Sequence, residues 1–476
     1  MDEQPTSSKK IIWIAAAVIF LLLIIGVFYF MTRGAKNSTT ATSTSLFGSL
    51  LGGENRPVTG GNTDTTVTPT PTVNTSDQNP GEDPLFKQLS IGPIAGATQV
   101  MHDGKVFVRY ILRENAHVYE VDPRTGVSTQ LTNTTIPRIY EASWGSDGNA
   151  VLLRYLAQDP LSKIDIIKTY LAYLNLPIVD ASSTQSQGTL VGDFLPDNIS
   201  ALSVSPDGKQ LFYLLPIPEG VSGTLVTLAT KSAHEVFRNS FSEWLPELLN
   251  NGSVILTTKA SANIPGYSYL YTPSNKTLTR IVRDKKGLTT HTDPTGAHIL
   301  FGENVSGNLT LGFYSKAGTQ GDEETVHEAP LSLTTLPEKC AWATDMIHVY
   351  CGAISGTPPR AQLPDDWYKG TLPFADSFWS TDIETAQINL IGDPQKLINR
   401  SFDVTSPFLD GNGQYFFFTN KSDSILWAMQ FPKHLQTDNS ALLPPDLTPD
   451  EMKDAAGSFP QTAPTSTTKT VVPVKK

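Results

Sequence analysis

The pattern of apolar and polar positions divides the chain into four stretches. Ile11 to Phe30 reads IIWIAAAVIFLLLIIGVFYF, an apolar run without a charged side chain. At about 1.5 Å per residue a helix of this length spans roughly 30 Å, the thickness of a bilayer's hydrocarbon core. Trp13 near one end and Phe28 and Tyr29 near the other suit the two interfaces. The pattern predicts a transmembrane helix over 11–31 after a short flank over 1–10. A cleaved signal would have a shorter apolar core and a small-residue cleavage site, and Arg33 breaks that pattern. Asn37 to Pro84 is dominated by Thr, Ser, Gly, Asn and Pro. Such a stretch buries too little apolar surface to offset chain entropy, so a disordered linker is predicted over 32–84. From 85 to 435, short runs rich in Val, Ile, Leu, Phe and Tyr alternate with tight-turn signals, the mark of short strands. After 436 the chain is polar and Pro-rich again, with a capped-helix opening at Thr448-Pro449-Asp450-Glu451 that predicts a short helix over 449–456.

The strand-forming stretch repeats. A run ending in a tight turn is followed by a strongly apolar run at QVMHDGKVFVRYI (99–111), ASWGSDGNAVLLRYL (142–156), LSVSPDGKQLFYLL (202–215), LPELLNNGSVILTT (245–258), THTDPTGAHILFG (290–302), AWATDMIHVYCG (341–352) and PFLDGNGQYFFFTN (407–420). The turns centre near 103, 147, 207, 251, 295, 345 and 411, and further alternating runs follow each one. A unit of three to four short strands recurring at roughly 44 residues is the signature of propeller blades. A single such sheet cannot cover both its faces, so blades stack around an axis and close. The fold class expected is all-β, a seven-bladed β-propeller over 85–435. Phe86 to Ile91 supplies a candidate strand to close the ring. The sixth unit is the weakest, because its turn lacks a glycine.

SVSPDGKQLFYLL (203–215) resembles the Pro-Asp-Gly repeat of TolB-type and related WD-repeat-like propellers, and the other turns look like degenerate copies. The resemblance implies turn chemistry and architecture, and no active site.

Composition narrows the function classes. With 35 Lys+Arg against 46 Asp+Glu the net charge is −11, and no basic stripe offers the cationic footprint of a nucleic-acid binder. Two cysteines exclude a disulfide-dense scaffold and a four-thiolate zinc site. No nucleophile elbow, phosphate loop, H-E-x-x-H or C-x-x-C is present, so no catalytic residue, cofactor or metal is expected. Lys9-Lys10 abut the apolar run as a signal's basic region does. Together with the Ser/Thr-rich stalk they predict a cytoplasmic N-terminus and a propeller outside the cell membrane.

Three groups of residues carry candidate chemistry. Around a turn at Asp345-Met346, Cys340 and Cys351 fall opposite one another across a hairpin, near enough for a disulfide in an exported domain. Two separate small core residues are the alternative. His291 and His298 flank the Asp293–Gly296 turn as a weak metal candidate without an assured third ligand. The sixth unit carries a long insertion, Ile354 to Phe378, with Trp367, Tyr368, Phe374 and Phe378, and Trp379 just after. These aromatics either fold back as a private mini-core or serve as partner contacts. A shorter insertion, Gln158–Ile167, occurs in the second unit.

The expected function is a binding or scaffolding module for another envelope or surface component. The expected partners are the lipid bilayer, through Ile11 to Phe30, and a protein or surface polymer, with no nucleic acid. The alternative is an enzyme acting on surface polymers or peptides through the propeller channel.

Overall fold

The computed structural model describes residues 85–177, 187–320 and 323–432. The predicted membrane helix, the linker and the C-terminal tail with its short helix lie outside the described residues. Among the described residues no helix is long and apolar enough to cross a membrane.

The described residues form seven four-stranded antiparallel sheets. The chain starts with β1 (Phe86–Gln88) and then lays down blade 1 as β2 (Ile94–His102), β3 (Lys105–Leu112), β4 (Val118–Val121) and β5 (Ser128–Gln130). Blade 2 is β6 (Ile139–Trp144), β7 (Ala150–Gln158), β8 (Asp165–Asn175) and β9 (Thr189–Phe194). Blade 3 is β10 (Ala201–Val204), β11 (Gln210–Ile217), β12 (Gly220–Thr227) and β13 (Ser232–Asn239). Blade 4 is β14 (Trp244–Leu248), β15 (Val254–Thr258), β16 (Pro265–Thr272) and β17 (Thr277–Lys286). Blade 5 is β18 (Thr289–Thr292), β19 (His298–Val305), β20 (Asn308–Gln320) and β21 (Glu323–Leu331). Blade 6 is β22 (Cys340–Trp342), β23 (His348–Ala353), β24 (Ser377–Asp382) and β25 (Ile388–Gly392). Blade 7 takes β26 (Val404–Leu409), β27 (Tyr415–Asn420) and β28 (Ile425–Gln430), and β1 completes it by pairing with β28, Phe86 opposite Met429. Strand Phe86–Gln88 therefore closes the ring.

Burial shows why the ring closes. Each pair of consecutive blades shares one apolar cluster. Ile111, Val151 and Leu153 lie between blades 1 and 2, and Leu152, Leu211 and Tyr213 between blades 2 and 3. Phe212, Val254 and Tyr271 join blades 3 and 4, and Ile255, Ile299 and Phe301 join 4 and 5. Leu300, Val349 and Ile383 join blades 5 and 6; Phe378, Phe416 and Phe418 join 6 and 7; Val108, Tyr110 and Phe417 join 7 and 1. Adjacent residues such as Leu152 and Leu153 serve opposite faces of one strand, so the central strands read as continuous apolar runs. First strands lie beside first strands of the next blade, as β2 beside β6, β10 beside β14 and β22 beside β26, which places them around the axis. The approach is close at Gly96, where a Cβ would sit 2.0 Å from the Ala142 carbonyl oxygen.

The repeating turns are the first hairpins of the blades, and their chemistry explains the repeat. In SPDG the Ser205 hydroxyl donates to Asp207 Oδ1 (2.6 Å), the Lys209 amide donates to the same oxygen (3.1 Å), and Gly208 adopts φ 66°. Polar residues beside the glycine tie neighbouring turns together. Ser146 Oγ donates to the Asp207 carbonyl (2.6 Å), and the Asp207 amide donates to Asn250 Oδ1 (2.9 Å). Blade 6 solves the same problem without glycine: Met346 takes φ 59°, and Asp345 Oδ1 accepts from the Ile347 and His348 amides, both at 2.9 Å.

These turn aspartates give the protein an acid sensitivity. The Ser205 hydroxyl holds the Asp207 carboxyl below its usual value. Burial would raise Asp293 and Asp345, but the donors from His298 and Thr295, and from His348 and Ile347, outweigh it and hold both low. A carboxylate lowered by folding contributes stability above its unfolded pKa, about 3.9 for Asp, and loses it as pH falls through the folded value. Asp376 and Asp410, raised chiefly by burial, act with the opposite sign. The lowered groups are more numerous, so urea midpoints are expected to fall as pH drops below about 4. Asp293→Asn is expected to make that fall shallower, and an unchanged profile would refute the turn assignment.

Candidate binding face and its insertion

Antiparallel order puts the first-to-second and third-to-fourth strand turns at one end of the ring. The second-to-third loops and the blade-to-blade connections lie at the other end, and the long insertion of blade 6, between β23 and β24, belongs there. It holds one short helix, α1 (Asp365–Tyr368). A second, α2 (Pro394–Ile398), follows β25 and is capped by Asp393, whose side chain accepts from the Gln395 and Lys396 amides.

The insertion is bound to four blades. On blade 4 the Ala262 amide donates to Asp365 Oδ2 (2.5 Å), and Asn263 Nδ2 donates to Gln362 Oε1 (2.7 Å). On blade 5 the Leu309 amide donates to Thr357 Oγ1 (2.8 Å). On blade 6 the Tyr368 hydroxyl donates to Glu338. On blade 7 the Asp376 amide donates to the Phe402 carbonyl (2.8 Å), and Lys421 Nζ donates to the Trp367 carbonyl. Beneath lies a small apolar cluster of Leu309, Leu336, Ala361, Leu363, Trp367 and Phe374.

This burial narrows the expectation that five aromatics form a contact surface. Trp367 and Phe374 sit inside that cluster. Phe378 lies deeper, between blades 6 and 7, with its ring 5.1–5.5 Å from those of Phe86, Phe416 and Phe418. Trp379, on the opposite face of β24, packs against the cluster between blades 5 and 6. Tyr368 alone is half exposed, at 47%. An insertion crossing from blade to blade has an underside to cover, and the large rings supply it.

Under the insertion lies a charged group. Lys339 ends a 3-10 turn (Pro337–Lys339) and is fully buried. Its Nζ is 2.6 Å from Asp403 Oδ1, 2.8 Å from Asp376 Oδ2 and 2.8 Å from the Val404 carbonyl. The Trp367 and Phe374 ring centroids lie 5.0 and 4.9 Å from it. Asp403 also accepts from Trp367 Nε1 (2.8 Å) and from the Phe374 amide (3.0 Å). Asp376 Oδ2 accepts the Val404 amide (2.7 Å), while its Oδ1 has no hydrogen-bond partner among the described residues. Burial raises the Asp376 carboxyl despite Lys339. Lys421, with Nζ 3.7 Å from the Trp367 centroid, is lowered by burial. Sequence reasoning passed over Lys339 and Asp403, because charges so far apart along the chain carry no spacing signal.

Toward the axis, His291 on β18 lies 3.4 Å from Glu247 Oε2 on β14. Burial would raise Glu247, but His291, the Thr292 amide and Thr290 hold it low. Glu338 is raised by burial. The inward Tyr368 hydroxyl is held well above its usual value by burial and by Glu338. His298 faces elsewhere: its Nδ1 is 2.8 Å from Asp293 Oδ2. The two histidines are not cross-strand partners, because β18 and β19 pair His291 with Leu300. Among the described residues no three His, Cys, Asp or Glu side chains are grouped to hold a metal ion. Cys340 and Cys351 are register partners across β22 and β23, with Cα atoms 4.1 Å apart, and are joined as a disulfide.

The same end of the ring exposes apolar side chains. Leu161 (94%) and Ile164 (66%) tip the hairpin between β7 and β8, and Ile91, Phe241, Ile264 and Leu397 occupy loops on that face. The Gln158–Ile167 insertion is this extended hairpin, with its turn capped by Asp159 Oδ1 accepting from the Leu161 and Ser162 amides.

No protein-family model matches the chain, and no curated protein matches it. Among solved structures it is similar to the β-propeller domain of Myceliophteria thermophila Cps50 (Swd1), with 8% identity, TM-score 0.45, and coverage of 73% of this chain and 100% of that one. It is also similar to an oligogalacturonate lyase in complex with manganese, with 10% identity, TM-score 0.44, and coverage of 74% and 94%. A third is Kuenenia stuttgartiensis hydrazine synthase, with 12% identity, TM-score 0.42, and coverage of 74% and 99%. These likenesses assign no activity to this chain.

Proposed function

We propose that this chain is a binding or scaffolding module, a TolB-like propeller anchored in the cell membrane through Ile11–Phe30 and displayed outside it on a stalk. The observation that carries the binding reading is that one end of the ring combines a firmly attached insertion with exposed apolar side chains at Ile91, Leu161, Ile164, Ile264 and Tyr368. Ordered loops on a rigid scaffold are where contact residues concentrate, and exposed apolar patches mark contact surfaces. The anchor reading rests on the length and apolarity of the first segment. The partner is a protein or surface polymer.

Crosslinking on intact membranes followed by pull-down tests the proposal. Leu161→Ser/Ile164→Ser and Ile91→Ser/Ile264→Ser change exposed side chains and leave the apolar clusters intact. At least one pair is expected to lower partner recovery about tenfold, the effect of losing one contact centre. Equal recovery by the wild type and both variants would remove this face from the reading. The enzyme alternative has its own support in the titratable groups Glu247, His291, Glu338 and Tyr368 on one side of the axis. It predicts that Glu338→Gln abolishes turnover of a surface polymer or peptide while partner recovery is kept.

A further inference from the structure

The group around Lys339 has the composition of a reaction centre as well as that of an ion cluster. One amine and two carboxyl groups meet in a pocket closed by the Trp367 and Phe374 rings, and both carboxyl groups lie within hydrogen-bond reach of the same nitrogen, at 2.6 and 2.8 Å. Lys339 and the Asp376 side chain are fully buried. Proximity of this kind turns a bimolecular condensation into an intramolecular one. We propose that Lys339 and Asp376 are a self-modification site, joined by an intramolecular amide bond between Lys339 Nζ and Asp376 Cγ, with Asp403 as the proton-transferring residue.

The two carboxyl groups differ in the way the reaction needs. Asp403 accepts from Lys339, Trp367 Nε1 and the Phe374 amide, an environment for a carboxylate that acts as a base. Asp376 accepts only through Oδ2, and Oδ1 has no partner among the described residues, an environment for a neutral acid with a hydroxyl to lose. Its burial-raised carboxyl agrees with that assignment. In the starting state the ammonium and the Asp403 carboxylate cancel and Asp376 is neutral.

Asp403 takes one proton from the ammonium, and the freed amine adds to Asp376 Cγ. Asp403 then returns that proton to the departing hydroxyl, which leaves as water as the C–O bond breaks, and takes up the second proton from the new amide nitrogen. The products are an amide, one water and a protonated Asp403, so charge is zero before and after. No oxidant, reductant or metal enters. The driving force is physical: a buried ion pair held against its desolvation cost is replaced by a neutral amide. The bond would fasten the end of the insertion to the turn that starts β22, beside the Cys340–Cys351 disulfide.

Mass spectrometry of the full-length chain, purified in detergent and reduced, is the test. The intact mass is expected below the sequence mass by one water, about 18 Da. Trypsin is expected to leave Lys339 uncut and to release a branched species joining residues 317–360 to residues 370–396. An intact mass equal to the sequence, with a linear peptide ending at Lys339, would overturn the proposal and leave an ion cluster only. A branch onto residues 401–421 would overturn the assignment of roles, since Asp403 would then be the acylated residue. In Asp403→Asn the link is expected to be lost and cleavage after Lys339 restored; linkage at the wild-type extent would refute the role given to Asp403. The wild-type measurement stands whether or not that variant folds.

Discussion

Asp403→Ala is expected to destabilise the propeller by about 3–5 kcal/mol, the cost of removing one member of a buried, hydrogen-bonded ion group. Three donors converge on this carboxylate: Lys339 Nζ, Trp367 Nε1 and the Phe374 amide. Removing it leaves Trp367 Nε1 and the Phe374 amide, both of the insertion, without an acceptor where no solvent reaches, and leaves Lys339 to Asp376 and the Val404 carbonyl. The variant should therefore lose stability and loosen the insertion together. Denaturant midpoints measure the first effect. The rate of limited tryptic cleavage at Arg360 and Lys369, exposed residues on the insertion, measures the second. Asp403→Asn retains an acceptor and is expected to lose less than Asp403→Ala. A midpoint and cleavage rate unchanged in Asp403→Ala would show that the insertion is held by its apolar underside alone.

Removing residues 1–90 is expected to cost roughly 5 kcal/mol, since two core side chains leave at once and each such loss costs about 2–5 kcal/mol. Phe86 packs 5.2 Å from Phe378 and 5.6 Å from Phe402 in the cluster between blades 6 and 7. Leu89 belongs to the neighbouring cluster between blades 7 and 1. The strand also covers the outer edge of β28, with Lys87 opposite Ala428 and Gln88 opposite Trp427. Without it that edge presents unpaired amides and carbonyls, a template for pairing with another chain. The truncated protein is expected to melt lower and to form oligomers by size-exclusion chromatography, whereas a chain starting at Leu85 should not. Phe86→Ala alone, which keeps the ladder, is expected to lower stability by about 3 kcal/mol without oligomers. Equal melting of the two truncated chains would show that the seventh blade is stable with three strands.

Blade number was legible in the sequence because a tight hairpin has few chemical solutions. Asp147-Gly148, Asp207-Gly208 and Asn251-Gly252 mark their turns through a carboxylate or amide cap and a positive φ, and Asp103-Gly104 through a positive φ at both residues; these demands are local. The sixth turn shows how far a local rule reaches: Met346 takes the glycine conformation, and the Asp345 cap with strand pairing on either side fixes the turn. The cysteine pairing was readable for the same reason, since register follows from one short turn. The histidine pairing was not: that turn has the same length as the one between the cysteines, but it centres between Thr295 and Gly296, one residue beyond the middle of Asp293–Gly296, so His291 pairs with Leu300.

The insertion marks the boundary. Its position and its wealth of aromatics could be read directly, but which rings would face inward could not, because that depends on four blades far apart in sequence. Trp367 meets Asp403, Leu363 meets Leu309, and Asp365 meets Ala262 only after the ring has closed.

The sequence by itself determined the repeat, the turn chemistry, the closing strand and the register of Cys340 with Cys351. Each depends on interactions within a hairpin or on the alternation of strand faces. Only the tertiary structure decided the rest: the meeting of Lys339 with Asp376 and Asp403, the burial of Trp367, Phe374 and Phe378, and the end of the ring at which exposed apolar side chains gather. Those depend on distances across blades, which closure sets and local preference does not.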